Sequence, residues 1–284
     1  MNILQELQGV AYIAVAFLFL YICKKVQDSL CKEHFDPDFE LEENSNLAFG
    51  FRRAGLYLGT ALAMFGAISG PSKGLEKDLI ILAIDGAFIS LALGFSKIIV
   101  DRVILPTINN AIAIRENNIA VGLVEMGAFI ATGLVAMGSF TGESVTIGSG
   151  LISAVLFFCL GQGVLTIGSK IIQLSTKFDI IREVKKSNTA AGTLMCGGLV
   201  AQGIILNQAL TGSSPTILAG IISFAIAAIK GIAVLFVFQW VADKLFLPNT
   251  TIQIEVERDR NVAAMVVTAS VMIAVSLIVV ASVV

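Results

Sequence analysis

The chain has 284 residues, of which 56% are hydrophobic and only 14% are charged, and its mean hydropathy is +0.87. Soluble domains carry about 25% charged residues, so this composition excludes an ordinary soluble protein and indicates a helical protein that crosses a membrane several times. The formal net charge of -2 argues against a nucleic-acid partner, because contact with phosphates needs a basic surface.

Apolar runs of about 20 residues are long enough to cross a hydrocarbon core of roughly 30 Å. The sequence contains eight such runs and predicts an all-α polytopic membrane protein with about eight transmembrane helices. The first run ends in Lys24-Lys25 rather than in a small-residue cleavage site, so we expect a retained span and not a signal peptide. The predicted spans are residues 3–23, 46–69, 79–100, 118–140, 145–168, 188–210, 216–241 and 261–283.

The connectors between these spans alternate in length and charge. Those that follow the first, third, fifth and seventh spans are long and hold most of the Lys and Arg residues, whereas the others are short. The positive-inside rule therefore places the long connectors in the cytoplasm. With eight spans, we expect a multi-pass protein of the bacterial inner (plasma) membrane with both termini in the periplasm. The long connectors are residues 24–45, 101–117, 169–187 and 242–260.

One short motif occurs four times, each time after a long connector and at the start of a predicted span. Counted from an Asn at position 0, Ala occupies position +2 in all four copies, and Gly occupies positions +4 and +9 in the first three. The fourth copy has Met265 and Ser270 at those two positions. The residues of this helix-start and packing motif are Asn46, Ala48, Gly50 and Gly55, then Asn118, Ala120, Gly122 and Gly127, then Asn188, Ala190, Gly192 and Gly197, and finally Asn261 and Ala263.

The motif recurs at intervals of about 70 residues, so that one repeat unit contains two spans. A second match, between Asp101–Pro106 and Asp243–Pro248, has an interval of about 140 residues. The simplest interpretation is two tandem four-span repeats, residues 1–142 and 143–284, each built from two related two-helix units. Because each unit has an even number of spans, all copies have the same orientation, unlike the halves of an inverted-repeat transporter.

The motif also predicts how its helices pack. At about 100° per residue, the Ala at +2 and the Gly at +9 lie on one face of the helix, and the Asn and the Gly at +4 lie on the other. Small residues on both faces allow close contact with a neighbour on each side. We therefore expect the second, fourth, sixth and eighth spans to form an inner layer, with each Asn capping its helix or bridging two helices.

These motifs, together with the Leu-Pro connectors at Pro106 and Pro248, resemble the bacterial inner-membrane proteins of domain-of-unknown-function family 350, the YjfL-like proteins. The resemblance extends over the whole chain, as two tandem copies. It implies a polytopic plasma-membrane protein without an established biochemical activity. It also implies a link to envelope stress and a genetic context near ATP-grasp enzymes that resemble glutathionylspermidine synthase. That context assigns no catalytic residue.

Ionisable side chains within predicted spans are candidates for a functional site, because their burial in lipid is costly. Arg53 and Glu125 both occupy position +7 of the motif, and Lys230 has a similar predicted depth. We predict a buried charged layer of these three residues, with Asp85 nearer the outer face. This layer is either an internal ion pair that fixes the register of the helices or part of a path for a proton, an ion or a solute. Arg52 is expected to extend to the cytoplasmic interface.

The sequence carries no pattern that is typical of catalysis. It has a single His, no phosphate-binding Gly loop, no nucleophile elbow and no zinc motif. Its four cysteines, Cys23, Cys31, Cys159 and Cys196, show no paired spacing. We therefore predict that the chain is not an enzyme, with no catalytic residue, no cofactor and no metal site.

Three functions compete, and we favour an integral plasma-membrane protein with a structural or scaffolding role linked to envelope stress; a membrane-embedded enzyme ranks last. The alternative is an ion or small-solute channel or transporter that uses the layer of Arg53, Glu125 and Lys230. The spans lack internal proline, which disfavours alternating access through broken helices and leaves a channel open. The predicted partners are the lipid bilayer, further copies of the chain in a homo-oligomer, and a cytosolic protein on connectors 24–45 and 101–117. The acids within 36–43 form either a solvated loop or a docking patch for a basic protein.

Overall fold

The computed structural model describes residues 3–32, 34–141, 146–212, 214–246 and 250–282, and all regular structure within them is helical. Pro248, in one of the two Leu-Pro connectors, lies outside the described residues. Two short π-helical segments, Val100–Ile104 and Ile254–Arg258, accompany the α-helices. The α-helices are α1 (Ile3–Cys31), α2 (Pro37–Glu42), α3 (Leu47–Ile68), α4 (Leu75–Ile99), α5 (Asn110–Arg115), α6 (Ile119–Phe140), α7 (Ile147–Ser175), α8 (Ile180–Lys185), α9 (Thr189–Leu210), α10 (Ile217–Phe246) and α11 (Val262–Ser282).

Seven of the described helices are long and apolar enough to cross a membrane, namely α1, α4, α6, α7, α9, α10 and α11. The prediction of an all-α polytopic membrane protein is therefore confirmed. Helix α3 occupies the place of the eighth predicted span and has 22 residues, as do α6 and α9. The adjacent Arg52 and Arg53 lower its mean hydropathy, so α3 is not among the seven.

The first and fifth predicted spans end too early. Helix α1 continues past Lys24 and Lys25 to Cys31, about two turns beyond the predicted end, and α7 extends similarly to Ser175. Charged side chains end a hydrophobic run, but they need not end a helix. In α1 the ammonium of Lys24 lies 3.6 Å from the carboxylate of Asp28, one turn later, and such pairs support a helix.

The four helices that begin with the Asn motif lie side by side in chain order, as a row of α3, α6, α9 and α11. The other long helices pack on this row: α4 contacts α3 and α6, α7 contacts α6 and α9, and α10 contacts α9 and α11. The apolar windows of α6 and α9 are 83% and 78% buried, whereas that of α11 is 33% buried. The predicted inner layer therefore consists of α6 and α9, and α3 and α11 are the two ends of the row.

Glycines bring the helices of the row into direct backbone contact. A Cβ atom added at Gly122 would lie 2.3 Å from the carbonyl oxygen of Ala48, and one added at Gly192 would lie 2.6 Å from that of Ala120. No side chain fits at these two positions unless the backbones separate. Lipid tails are as apolar as the helices, so close van der Waals contact of this kind is what drives association between them.

Each motif Asn caps its own helix, and the first three also contact the connector before the next helix of the row. Asn46 accepts a hydrogen bond from the Phe49 amide at 2.9 Å and donates one to the Ile114 carbonyl at 2.8 Å. Asn118 and Asn188 repeat this bond to the carbonyls of Val184 and Val256. All four helices therefore start at one end of the bundle, the connector side, where α2, α5, α8 and the segment Ile254–Arg258 lie. The opposite end, with the short loops, is called the hairpin side.

Candidate functional site

A buried ion pair joins the first two helices of the row. The Nε atom of Arg52 on α3 lies 3.1 Å from Oε2 of Glu125 on α6, and the two side chains are 3% and 1% exposed. Arg52 also donates a hydrogen bond of 3.4 Å to Gln27 on α1. The amide of Gln27 in turn donates to the Leu93 carbonyl on α4 at 3.1 Å. One guanidinium therefore connects α3 directly to two helices, and through Gln27 to a third.

A second buried ion pair lies beside the first. Arg53 on α3 donates a hydrogen bond through Nη2 to the carboxylate of Asp28 on α1. Its guanidinium also faces the ring of Phe49, with 4.9 Å between Cζ and the ring centroid. Contact of a cation with an aromatic face offsets part of the cost of burying the charge. Asp28, Arg52, Arg53 and Glu125 are hereafter called the charge cluster.

The charge cluster is electrically balanced, because two carboxylates face two guanidinium groups. Charges buried in this way are tolerated only when they are paired, and removal of one partner leaves an uncompensated charge. The pairing is not complete at every atom. Arg52 Nη1, Arg53 Nε and Nη1, and Glu125 Oε1 are buried without a hydrogen-bond partner among the described residues. The cavity next to Asp28, Arg52 and Arg53 has a volume of about 10 Å³, the lower limit of the space that holds one water molecule.

The charge cluster differs from the predicted layer of Arg53, Glu125 and Lys230. Lys230 is exposed on α10, a helix that packs against α9 and α11 rather than α3. Glu125 pairs with Arg52, and Arg53 pairs with Asp28. Arg52 does not extend to the interface but is 2% exposed. The predicted layer rests on the similar depth of its three residues within their spans. Depth alone does not specify which helices are neighbours, so it does not identify the ion-pair partners.

A cavity of about 480 Å³ lies at the hairpin side, between α1, α4, α7 and the ends of α3 and α6. On its wall, the carboxylate of Asp78 accepts hydrogen bonds from the Tyr12 hydroxyl at 2.8 Å, the Ser72 hydroxyl at 2.5 Å and the Lys73 amide at 2.8 Å. These bonds fix the loop before α4 against α1. They also occupy both oxygens of Asp78.

Asp85 lines the same cavity, two turns further along α4. Its side chain is half-buried, and it has no hydrogen-bond or ion-pair partner among the described residues. A carboxylate without a partner inside a membrane-spanning helix is a candidate functional group. Asp85 therefore belongs to a second site, separate from the charge cluster at the connector side.

Carboxylates also support the Asn caps at the connector side. Asn46, Asn188 and Asn261 each donate a hydrogen bond to an acid of the preceding short segment, respectively Glu40 at 2.8 Å, Glu183 at 3.1 Å and Glu255 at 2.8 Å. Burial tends to raise the pKa of Glu183, but hydrogen bonds from Lys186 and Asn188 outweigh it, so the pKa lies below its ordinary value. Glu183 is therefore ionised at neutral pH.

The first connector is held to α1 by charge. Lys24 donates a hydrogen bond of 3.0 Å to Asp38, and this contact lowers the pKa of the Asp38 carboxyl. Asp36 caps α2 by accepting from the amides of Asp38 and Phe39. The acids of residues 36–43 therefore form an ordered helical turn, with Asp36, Asp38, Glu42 and Glu43 exposed.

Asp28 and Gln27 are not among the predicted site residues, because the first predicted span ends before them. The spacing of Lys24 and Asp28, one helical turn apart, was the available signal that the helix continues. Tyr12 and Asp78 are also absent from the predicted site, and their contact joins residues far apart in the chain. No local pattern in the sequence indicates that contact.

Comparison with known proteins agrees with the repeated architecture. The family model Domain of Unknown Function (DUF350) matches the chain twice, over residues 2–140 and 146–283. No curated protein and no solved structure matches the chain. The two family matches have helices of the row in equivalent places, α3 and α6 in the first and α9 and α11 in the second. The chain therefore belongs to the DUF350 family and contains two tandem copies of its domain.

Proposed function

We propose that the chain is a structural, scaffolding protein of the plasma membrane that serves the envelope stress response. The observation that supports a structural role is the charge cluster, whereas the link to envelope stress rests on the resemblance to the family. Its two carboxylates and two guanidinium groups face one another across α1, α3 and α6, beside a cavity of only about 10 Å³. Charges in this arrangement hold helices in register. A conducting path would instead require a wet cavity along Glu125.

A scaffold also needs a surface for its partners, and the connector side offers an ordered one. The second, third and fourth connectors are each tied to the row by the Asn side chain of the preceding repeat, and the first is held to α1 by Lys24 and Asp38. The first connector presents the exposed acids of α2, whereas the third presents exposed Arg182, Lys185 and Lys186. We propose that α2 is the docking patch for a basic cytosolic protein, with the first and second connectors as its contact surface.

Ion flux distinguishes the scaffold from a channel. The purified protein would be reconstituted into liposomes with a proton or potassium gradient, and dye fluorescence would be followed. We expect no flux above that of protein-free liposomes. Flux that Glu125→Gln abolishes, and that Met195→Gln leaves intact, would overturn the scaffold. Met195 is the matched control because it occupies the same position, +7, in the third repeat.

The docking role is tested in cells whose own copy of the gene is deleted. Glu42→Lys combined with Glu43→Lys reverses the charge of α2 at two exposed positions. We expect this variant to reach the membrane at normal level and to lose protection against envelope stress. The matched control, Arg182→Glu with Lys185→Glu, reverses charge at two exposed positions of the third connector and should retain protection. Full protection by the α2 variant would contradict docking at this patch.

A second candidate function is the binding of a small cationic solute in the hairpin-side cavity. It is favoured by Asp85, a carboxylate without a described partner on the wall of a cavity of about 480 Å³. Asp78, about 10 Å away along the same helix, adds negative charge to that wall. Binding of a small solute is therefore proposed at the hairpin-side cavity, which has enough room for a ligand, and not at the charge cluster.

Calorimetry with spermidine tests this second candidate in protein held in lipid nanodiscs. We expect saturable binding that Asp85→Asn abolishes. Ser139→Ala is the matched control, because Ser139 lines the same cavity but its hydroxyl already donates to the Val135 carbonyl at 2.8 Å. Equal affinity in the wild type and Asp85→Asn would contradict a role for this carboxylate.

A further inference from the structure

The row of α3, α6, α9 and α11 uses one interface three times. In each case one face of a helix, here called the trailing face, packs against a different face of the next helix, here called the leading face. The trailing face comprises positions +2, +9, +13 and +20 from the motif Asn, and the leading face comprises positions +4, +8, +12, +15 and +19. Because the two faces differ, the row has a direction and does not close on itself.

The contact between positions +9 and +8 shows how closely the interface is repeated. A Cβ atom added at Gly55 would lie 2.4 Å from Cα of Met126, and one added at Gly197 would lie 2.4 Å from Cβ of Ala269. At the middle interface, the equivalent distance from Gly127 to Cα of Cys196 is 2.8 Å. Further along, Gly66 at +20 approaches Met137 at +19 in the same way. The same register therefore holds along the length of the helices.

The last helix of the row has a complete trailing face with nothing packed on it among the described residues. Its four positions are all small and all exposed: Ala263, Ser270, Ala274 and Ala281. Contact with lipid alone does not explain this choice, since the neighbouring lipid-facing positions of α11 carry large residues. Ile278 is 66% exposed and Val266 is 50% exposed. Small residues at these spacings are what the internal interfaces use for close approach.

The first helix of the row, α3, has an uncovered leading face, which is the other half of the repeated interface. Gly50, at +4, has no atom of the described residues within 4 Å of an added Cβ, whereas its counterparts Gly122 and Gly192 both contact a neighbouring backbone. The rest of this face is exposed: Ala54, Leu58, Ala61 and Phe65. Both halves of the repeated interface are therefore present and uncovered at opposite ends of the row. The prediction that Gly50 and Ala263 mediate packing is not met by contacts within one chain.

The hydrogen bonds that the motif Asn side chains donate to the next connector, here called the Asn ladder, are a second and independent observation. They point to the same two ends of the row. Asn46, Asn118 and Asn188 each donate one hydrogen bond to a carbonyl four or five residues before the next motif Asn. Asn261 donates to Glu255 at 2.8 Å, but no such connector carbonyl faces it among the described residues. At the other end of the row, the carbonyl in the equivalent place is that of Leu41, because Leu41 follows Glu40 as Val256 follows Glu255, and both glutamates accept from the motif Asn.

We infer that copies of this chain associate head to tail, with the trailing face of α11 in one copy packed on the leading face of α3 in the next. Asn261 then donates to the carbonyl of Leu41 in that next copy. All helices of the row start at the connector side, so the contact keeps every copy in the same membrane orientation. Such heterologous contacts give a ring if the rotation closes and a linear array if it does not.

Disulfide cross-linking in native membranes tests the predicted register. Ser270 and Ala54 occupy positions +9 and +8, so Ser270→Cys and Ala54→Cys in one chain should meet between copies. The background is Cys159→Ser, because Cys159 is the exposed one of the four described cysteines. On oxidation we expect a ladder of linked copies from the double variant and none from either single variant. A ladder that stops at a fixed size indicates a ring, and one that continues indicates an array; both support the contact.

The matched control combines Ala54→Cys with Ile278→Cys, which lies on a lipid-facing side of α11 outside the trailing face. This pair should give no ladder. Cross-linking of Ser270→Cys alone would overturn the inference, because it would show α11 packed face to face with α11. A wild-type protein that is monomeric by light scattering in nanodiscs would overturn it as well.

A second variant avoids dependence on oxidation. Ser270→Trp places a large side chain on an exposed position, so the fold of the single chain is expected to be retained. The variant should lose the oligomer seen for the wild type by light scattering, whereas Ile278→Trp should keep it. An unchanged oligomer in Ser270→Trp would contradict the proposed interface.

Discussion

The two halves of the row share one helix geometry but fill position +7 in opposite ways. The first half places Arg53 and Glu125 there, and the second places Met195 and Thr268. Met195 is completely buried, and the Thr268 hydroxyl is bonded within its own helix to the Ala264 carbonyl at 3.0 Å. Nevertheless the close contacts between helices are alike in both halves. The row itself therefore does not need buried charges.

The buried charges of the first half fix the position of α1. In the first half, α1 is bound to α3 by the pair of Asp28 and Arg53. In the second half, α7 takes the place of α1 and meets α9 at Gly168, where an added Cβ would lie 2.4 Å from Oε1 of the neutral Gln202. Small residues thus assemble the row, and charges specify one of the helices that cover it. Matched variants in the two halves test this division of roles.

Loss of one charge should have the largest effect. Glu125→Gln leaves Arg52 buried without a counter-ion, and breaking a buried pair in this way costs about 3–5 kcal/mol. We expect a lower Tm and a lower folded yield in detergent. The second-half control, Met195→Leu, keeps volume and polarity and should cost less than about 1.5 kcal/mol. A Glu125→Gln protein with unchanged Tm would show that the pair does not stabilise the first half.

Overpacking of the row should have a smaller effect, of equal size in both halves. Gly55→Ala and Gly197→Ala each add a Cβ atom that lies 2.4 Å from the neighbouring helix. Extra methyl groups in a well-packed interface cost about 1–3 kcal/mol. The measurement is Tm in detergent for the two variants, with Gly94→Ala as control because its added Cβ meets nothing within 4 Å. A large difference between the two halves would mean that their interfaces are not equivalent.

Acid should weaken the second half through Glu183. The pKa of Glu183 is lowered on folding, so its contribution to stability is present above its ordinary pKa and is lost as the pH falls through the folded value. We expect Glu183→Gln to lower the free energy of unfolding by about 1 kcal/mol at neutral pH. Tm measured against pH should show the two proteins converging in acid. A difference that persists at low pH would assign the effect to packing.

The smallest effect is expected at the turns before the long helices. Ser45 and Ser187 have φ values of 49° and 58°, a left-handed conformation that costs a non-glycine residue about 1–2 kcal/mol. Glycine relieves that cost but loses more entropy on folding, which leaves a net gain of about 0.5 kcal/mol. Ser45→Gly and Ser187→Gly should raise Tm slightly and equally. A lower Tm in either would show that the serine side chain stabilises its turn.

The starts, the common direction and the contact faces of the row helices could be predicted because they follow from local signals, whereas their order in the row comes from the structure. An Asn before an apolar run starts a helix, and glycines at matching positions mark its contact faces. The partners within the charge cluster could not be predicted in the same way. Arg52 and Arg53 are adjacent on one helix, and 100° of rotation decides which of them faces α6 and which faces α1. The phase of a helix relative to its neighbours depends on the whole assembly.

The Asn ladder has a consequence for how such chains change in length. The step from α6 to α9 crosses the boundary between the two family copies, yet it uses the same glycine contact and the same Asn bond as the steps inside each copy. Tandem duplication of the gene therefore required no new interface. Insertion of one further unit of about 70 residues should be accommodated in the same way. Chain length in this architecture can therefore change by whole two-helix units, and the glycine contacts and Asn hydrogen bonds between the remaining helices are kept.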